Sequence, residues 1–168
     1  MGVRYARFED MKTASGIRVD GWKAAYKGIL ADEFLNTLDY EATHKRFENN
    51  FNKEAFGVYE SDTKEILGFC KFGERQNLEL EGYHEYDCEL GAIYVRSDCQ
   101  GQGIGKELFI FVTSEFRRKG KSKMLLWVLA ENIPSIAFYK KMGGKLVSKK
   151  VQAIGGDTYY EVSFGYDL

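Results

Sequence analysis

Proline occurs once in this chain, histidine twice and cysteine three times. Cys70, Cys88 and Cys99 are odd in number and have neither C-x-x-C nor metal-ligand spacing. That argues against a disulfide framework, a zinc site or a dithiol redox centre; reduced, mostly buried thiols are expected, and no metal. No apolar run approaches the ~20 residues of a membrane span, and the N-terminus carries no signal-peptide core. With a net charge of −1 the chain offers no basic field, so neither nucleic acid nor membrane is expected as a partner. Internal repeats, low-complexity tracts and linkers are also lacking, which leaves a single domain over 1–168, expected to be cytoplasmic. What remains is an ordinary globular composition, 44% hydrophobic and 29% charged, with enough length to bury a substantial core.

Hydrophobic periodicity divides the chain into alternating elements. Val3 to Phe8 reads as a strand, and Asp10 to Leu30 as a helix interrupted by Gly16 and Gly21. Ala31 to Leu38 and Tyr40 to Phe51 read as shorter helices, the second capped by Asp39. Ala55 to Tyr59 and Ile66 to Phe72 are strands joined across Ser61-Asp62-Thr63-Lys64, followed by a polar, acidic loop from Glu74 to Glu85. Tyr86 to Val95 is a strand, Gly103 to Lys119 a helix, and Met124 to Leu129 a buried strand. Pro134 suits the first turn of a helix that stops at Gly143-Gly144. A final hairpin joins Lys145 to Ile154 with Thr158 to Tyr166. This order gives a mixed α/β domain whose strands are not all parallel.

The most informative stretch is Gln100-Gly101-Gln102-Gly103-Ile104-Gly105-Lys106, set between a strand and an amphipathic helix. Glycines there bring bare N–H groups to a helix N-terminus, where the free donors and the helix dipole favour a phosphate or pyrophosphate. A Walker loop fails, because Gln100 stands at its first glycine and Glu107 at its magnesium-binding Ser or Thr. A dinucleotide fingerprint fails too, with Lys106 at its third glycine. Q-x-x-G-x-G is left. Further on lies Asn132-Ile133-Pro134-Ser135-Ile136-Ala137-Phe138-Tyr139-Lys140-Lys141-Met142-Gly143.

Together these resemble the acyl-CoA pyrophosphate loop and the N-x-x-[AS]-x-x-[FL]-Y-x-K-x-G segment of the GNAT superfamily of N-acetyltransferases, in order and in spacing. The resemblance is firm from Glu89 to Gly144. It implies a twisted, mostly antiparallel sheet of about seven strands flanked by helices, acetyl-CoA as co-substrate, and acyl transfer to an amine. Backbone amides of Gln102 to Lys106 would hold the pyrophosphate, within the loop Gln100, Gly101, Gln102, Gly103, Ile104, Gly105, Lys106. The pantetheine arm would pair with Ile93, Tyr94 and Val95, where the strand splays from its neighbour. Asn132 would reach the same arm or cap its helix, or do both, and Ser135 would touch the cofactor.

The chemistry needs a base and an acid. An alkylammonium of pKa ~10.4 leaves the free amine about three orders of magnitude scarcer than its acid at pH 7, a task of roughly 4–5 kcal/mol. The resemblance puts Tyr139 beside the thioester sulfur as the acid and Glu89 at the base position, acting directly or through water, with Asp87 in reserve. It also implies an acceptor site walled by Trp22, Tyr26, Phe34 and the final hairpin, with Ala31 where a proline often precedes the aspartate. Glu74, Glu79, Glu81, Glu85 and Asp87 would attract a cationic amine or simply form a solvated acidic loop. His44, His84, Cys88 and Cys99 receive no role. A small primary amine, polyamine-like or of amino-acid or amino-sugar type, is the leading acceptor. A peptide or protein acceptor and a non-catalytic CoA-ester sensor are the alternatives, and exposed strand edges allow a homodimer.

Overall fold

A computed structural model describes residues 1–75 and 83–168. Within them, seven strands form one sheet: β1 (Gly2–Tyr5), β2 (Ala55–Glu60), β3 (Ile66–Gly73), β4 (Cys88–Val95), β5 (Lys123–Leu129), β6 (Lys145–Ile154) and β7 (Asp157–Asp167). They lie in the order β1-β2-β3-β4-β5-β7-β6. Every neighbouring pair is antiparallel except β4 with β5. The helices are α1 (Met11–Ala25), α2 (Asp32–Asn36), α3 (Tyr40–Asn50), α4 (Ile104–Arg118) and α5 (Ile133–Lys141). The expected mixed α/β sheet flanked by helices is what forms.

Strand alternation divides the core between the two faces. Cys70, Phe72, Cys88, Leu90, Met124, Leu126 and Phe164 bury one face under Leu108, Val112 and Phe116 of α4, with Phe138 and Tyr139 of α5 and its C-cap residue Met142 at the margin. Phe56, Val58, Ile66 and Phe69 bury the other under Met11, Ala14 and Ile17 of α1 and Phe47 of α3. Helix ends follow local chemistry. Asp39 accepts the Ala42 N–H at 2.7 Å, and Asn132 accepts that of Ser135 at 3.2 Å.

Two helical expectations are corrected. The helix read from Asp10 to Leu30 stops at Ala25, because the chain turns through Gly28 at φ +76°. Gly16 and Gly21 do not interrupt it. At Gly21 a β-carbon would stand 2.7 Å from the Tyr94 ring, so its absence lets α1 lie directly on β4. The gain in packing there outweighs the ~1 kcal/mol helical penalty of glycine.

Asp87 ties the start of β4 to that of β5. Its carboxylate accepts the Ser122 N–H at 2.9 Å, the Ser122 hydroxyl at 3.2 Å and the Lys123 N–H at 3.2 Å. Burial opposes its ionisation, but these backbone bonds outweigh it and the pKa falls below the ordinary carboxylate value. A depressed folded-state pKa contributes stability that is present above the unfolded value of ~3.9 and lost as pH falls through the folded one. Asp87→Asn should therefore cost about 1–2 kcal/mol at pH 7, a fall in Tm of roughly 2–8 °C by thermal melting. The gap between variant and wild type should narrow below pH ~4.

Candidate active site

The bond pattern of β4 opens the site. Its parallel ladder with β5 has two steps, Cys88 with Met124 and Glu89 with Leu125, and then stops. On its other side β4 stays paired with β3 as far as Val95 with Gly68. From Leu90 onward the edge of β4 that faces β5 is therefore free of strand partners, as the resemblance implies. Trp127 and Val128 of β5 line the far side of the gap.

A β-bulge aims the residues of this edge. Leu90 pairs with Phe72 and Ala92 with Lys71, so Gly91 is extra. The shift reverses the alternation. Cys88 and Leu90 face α4 before it, Ile93 and Val95 after it, and Ala92 and Tyr94 turn toward α1. A lone glycine in an apolar strand was the signal for this, and it went unread.

At the end of β4 the chain enters the glycine loop. Gly101 has φ +76° and Gly103, the N-cap of α4, has φ +87°. No atom lies within 4 Å of where either β-carbon would be, so backbone conformation and open space in front of the loop explain these glycines, not crowding by the protein. The first main-chain bond of α4 runs from Glu107 N–H to the Gly103 carbonyl, at 3.1 Å. The N–H groups of Ile104, Gly105 and Lys106 thus have no helical acceptor. Gln100 reaches back, its Nε2 donating to the Val95 carbonyl at 3.5 Å, and Arg96 grips Asp98 at 2.6 Å.

The gap and the loop belong to one cleft of about 810 Å³. Its wall takes in Ile93, Tyr94 and Val95, the loop residues Gln100, Gly101 and Gly103 to Lys106, and Asn132, Ser135 and Tyr139 beyond them. Gln102 is the one loop residue of this set that stays off the wall. Asn132 is 5% exposed, and its cap to Ser135 holds the start of α5 against the cleft. Cofactor side and acid candidate are thus brought together.

Tyr139 is fixed from behind. The Tyr166 hydroxyl donates to its carbonyl at 2.8 Å, and the Gly144 N–H to the same oxygen at 3.0 Å. Burial, reinforced by the nearby Tyr26 phenol, raises its pKa well above the ordinary tyrosine value, so the hydroxyl keeps its proton at any working pH. Tyr94 is raised likewise, first by burial and then by the same Tyr26. Three phenols, Tyr26, Tyr94 and Tyr139, therefore meet on this wall. From sequence Tyr94 had only a backbone role.

The remaining candidates fall elsewhere. Glu89 does not line the cleft; it stands two residues before the bulge, on the last ladder step with β5. Asp87 is engaged with Ser122 and Lys123, which removes it from the acceptor side and from the reserve-base role. Trp22 packs edge-on against Tyr26 at 5.0 Å and Phe34 at 6.3 Å, in a cluster with Leu30, Leu35 and Leu129. Of Trp22, Tyr26 and Phe34 only Tyr26 reaches the wall. In the acidic segment, Glu74 pairs with Lys121 at 3.5 Å and Glu85 with Lys123, while Glu79 and Glu81 lie outside the described residues. Burial pushes the Cys88 thiol far up, and its hydrogen goes to the Lys123 carbonyl at 3.5 Å, the behaviour of a structural thiol.

The model of the acetyltransferase (GNAT) family matches residues 22–144. The uncharacterized N-acetyltransferase YuaI of Bacillus subtilis is 33% identical over 164 residues, 98% of this chain and 91% of that one. The spermidine N(1)-acetyltransferase of Thermoplasma acidophilum is 24% identical over 86% of this chain and 88% of its own. Among solved structures, yncA of Salmonella typhimurium with its cofactor acetyl-CoA superposes with a TM-score of 0.70 at 20% identity, covering 99% of this chain and 92% of that one. Splayed strand, glycine loop and family match agree, and the chain belongs to the GNAT family of N-acetyltransferases.

Proposed function

We propose that this enzyme transfers the acetyl group of acetyl-CoA directly to a small primary amine. The observation that carries the reading is the continuity of the unpaired β4 edge with the glycine loop. A peptide-like pantetheine arm can pair along Ile93 to Val95 while the amides of Ile104 to Lys106 meet the pyrophosphate at the helix N-terminus. Asn132 and Ser135 face the same arm from α5.

In the transfer the amine nitrogen bonds to the acetyl carbon and the carbon–sulfur bond breaks, leaving a thiolate that needs a proton. Tyr139 holds that proton at the wall. In water a phenol of pKa ~10 gives its proton to a thiolate of pKa ~8.5 at a cost of about 2 kcal/mol. Burial raises the Tyr139 phenol further, so the transfer requires the bound thiolate to be made correspondingly more basic by the same surroundings. On the other side of the reaction, Glu89 takes the amine proton through water, since it stands back from the wall.

Thermal shift tests the cofactor assignment. At one hundred times its dissociation constant a ligand specific for the folded state adds about 2.7 kcal/mol, or roughly 5–11 °C for a chain of this size. Acetyl-CoA and CoA should both produce it, and ATP and NAD should not. Absence of a shift with either CoA species, in folded protein, would overturn the reading.

A further inference from the structure

Helix α5 carries the acid, and burial does not fix it in place. None of its nine residues is buried; it meets the core with the partly covered side chains of Ile136, Phe138 and Tyr139. A reacting phenol must be held to within about 0.5 Å, since a displacement of ~1 Å can cost ~100-fold in rate.

The hold comes at the last turn. Gly143, at φ +92°, and Gly144 close α5 in a Schellman motif. The Gly143 N–H donates to the Lys140 carbonyl and the Gly144 N–H to that of Tyr139, each at 3.0 Å. The helix end is thereby satisfied at Tyr139. A second donor still reaches the same oxygen: the Tyr166 hydroxyl of β7, at 2.8 Å. A glycine keeps the space for it. A β-carbon at Gly144 would stand 2.6 Å from the Tyr166 oxygen, and Gly144 has no positive φ that would call for glycine on its own account.

Tyr166 is itself firmly placed. It is 8% exposed, pairs with Met124 across the β5–β7 ladder, and packs on Phe109 of α4 with ring centroids 5.0 Å apart. Phe109 in turn meets Phe138 edge-on at 6.4 Å. Phenylalanine at 166 would fill the same place in the core, so what the hydroxyl adds is the bond to Tyr139. Burial, and then the Tyr139 phenol, raise the Tyr166 pKa well above the ordinary tyrosine value, and the donor keeps its hydrogen at any working pH. The strand it pairs with, β5, also supplies Trp127 and Val128 to the cleft.

Resting on the reading of Tyr139 as the acid, we infer that Tyr166 is a positioning residue for acetyl transfer. Through the Tyr139 carbonyl it sets the last turn of α5, and with it the acid, against the strand that lines the far side of the gap. Tyr166 does not line the cleft, so it acts through Tyr139 and not on the reactants.

The test is a double-mutant cycle of Tyr166→Phe and Tyr139→Phe, with kcat and the KM for acetyl-CoA measured at saturating amine, the amine being one that the wild type acetylates in a panel of primary amines. Tyr166→Phe should lower kcat by roughly 5- to 20-fold and move KM by less than about twofold. Its Tm should fall by about 1–6 °C, the loss of one hydrogen bond. In the Tyr139→Phe background the same substitution should lower the residual kcat by less than about twofold, because the group it positions is gone. The thermal shift with CoA should be kept in all three variants. Unchanged kcat in Tyr166→Phe, with chemistry limiting the rate, would overturn the inference. So would an equal fractional loss in both backgrounds, the mark of a purely structural role, or a loss confined to KM. If Tyr139→Phe alone keeps full turnover while the CoA shift persists, the acid assignment falls and the inference with it. Failure to acetylate any amine of the panel would remove the acetyltransferase reading and the inference together.

Discussion

Tyr139→Phe should lower turnover by roughly 10²–10⁴-fold while leaving the affinity for acetyl-CoA nearly unchanged. The substitution removes one oxygen and keeps the ring, which packs at 5.3 Å from Phe138 at the margin of the main core. The hydrogen bonds that hold this residue go to its carbonyl, from Tyr166 and Gly144, and phenylalanine retains them. Folding should therefore be spared, and the loss should appear in kcat. The pH profile supplies a second readout. A phenol raised by burial is fully protonated below its folded pKa, so it imposes no falling limb between pH 7 and ~10. The rate should climb with pH as the amine loses its proton, and the variant should climb in parallel from a lower level. A falling limb below pH ~9 that disappears in Tyr139→Phe would mean that Tyr139 is not buried as described. Unchanged turnover, with chemistry shown to limit the rate, would end its role as the acid.

Legibility from sequence followed the range of the interactions. The loop and the α5 segment were readable because their functions depend on backbone geometry at fixed local spacing: glycines at positive φ, an N-terminal proline, an asparagine cap. The β4–β5 splay came only through family resemblance, since two strands parting after two ladder steps leave no mark in either strand's composition. Side-chain facing along β4 is not legible by simple alternation. The extra residue at Gly91 reverses the alternation, so counting by twos across it assigns the wrong face. Asp87 shows a further limit. A carboxylate just before a central strand reads equally as a base or as a structural acceptor, and the decision lies with Ser122 and Lys123, more than thirty residues away.

Gly103→Val should weaken acetyl-CoA binding by at least ~100-fold, and the reason separates ligand effects from protein effects. At φ +87° a β-branched residue is strained by roughly 1–3 kcal/mol, so some stability, about 2–12 °C in Tm, will be lost. No protein atom stands within 4 Å of the new β-carbon, so the free protein has no steric clash to relieve and should still fold. The branched side chain projects from the N-cap of α4 into the space where a pyrophosphate must come within hydrogen-bonding distance of the Ile104 to Lys106 amides. Relaxing the strain would also move those amides, and either route removes the anion site. Gly105→Ala is the matched control. Gly105 is helical, and its added carbon would sit 3.6 Å from the Phe138 ring, an ordinary contact, so folding should be kept and binding should change far less. Titration by calorimetry at equal folded fraction distinguishes the cases. If both variants bind acetyl-CoA as the wild type does, the phosphates do not lie at this loop, and the cleft along β4 must be entered from its other end.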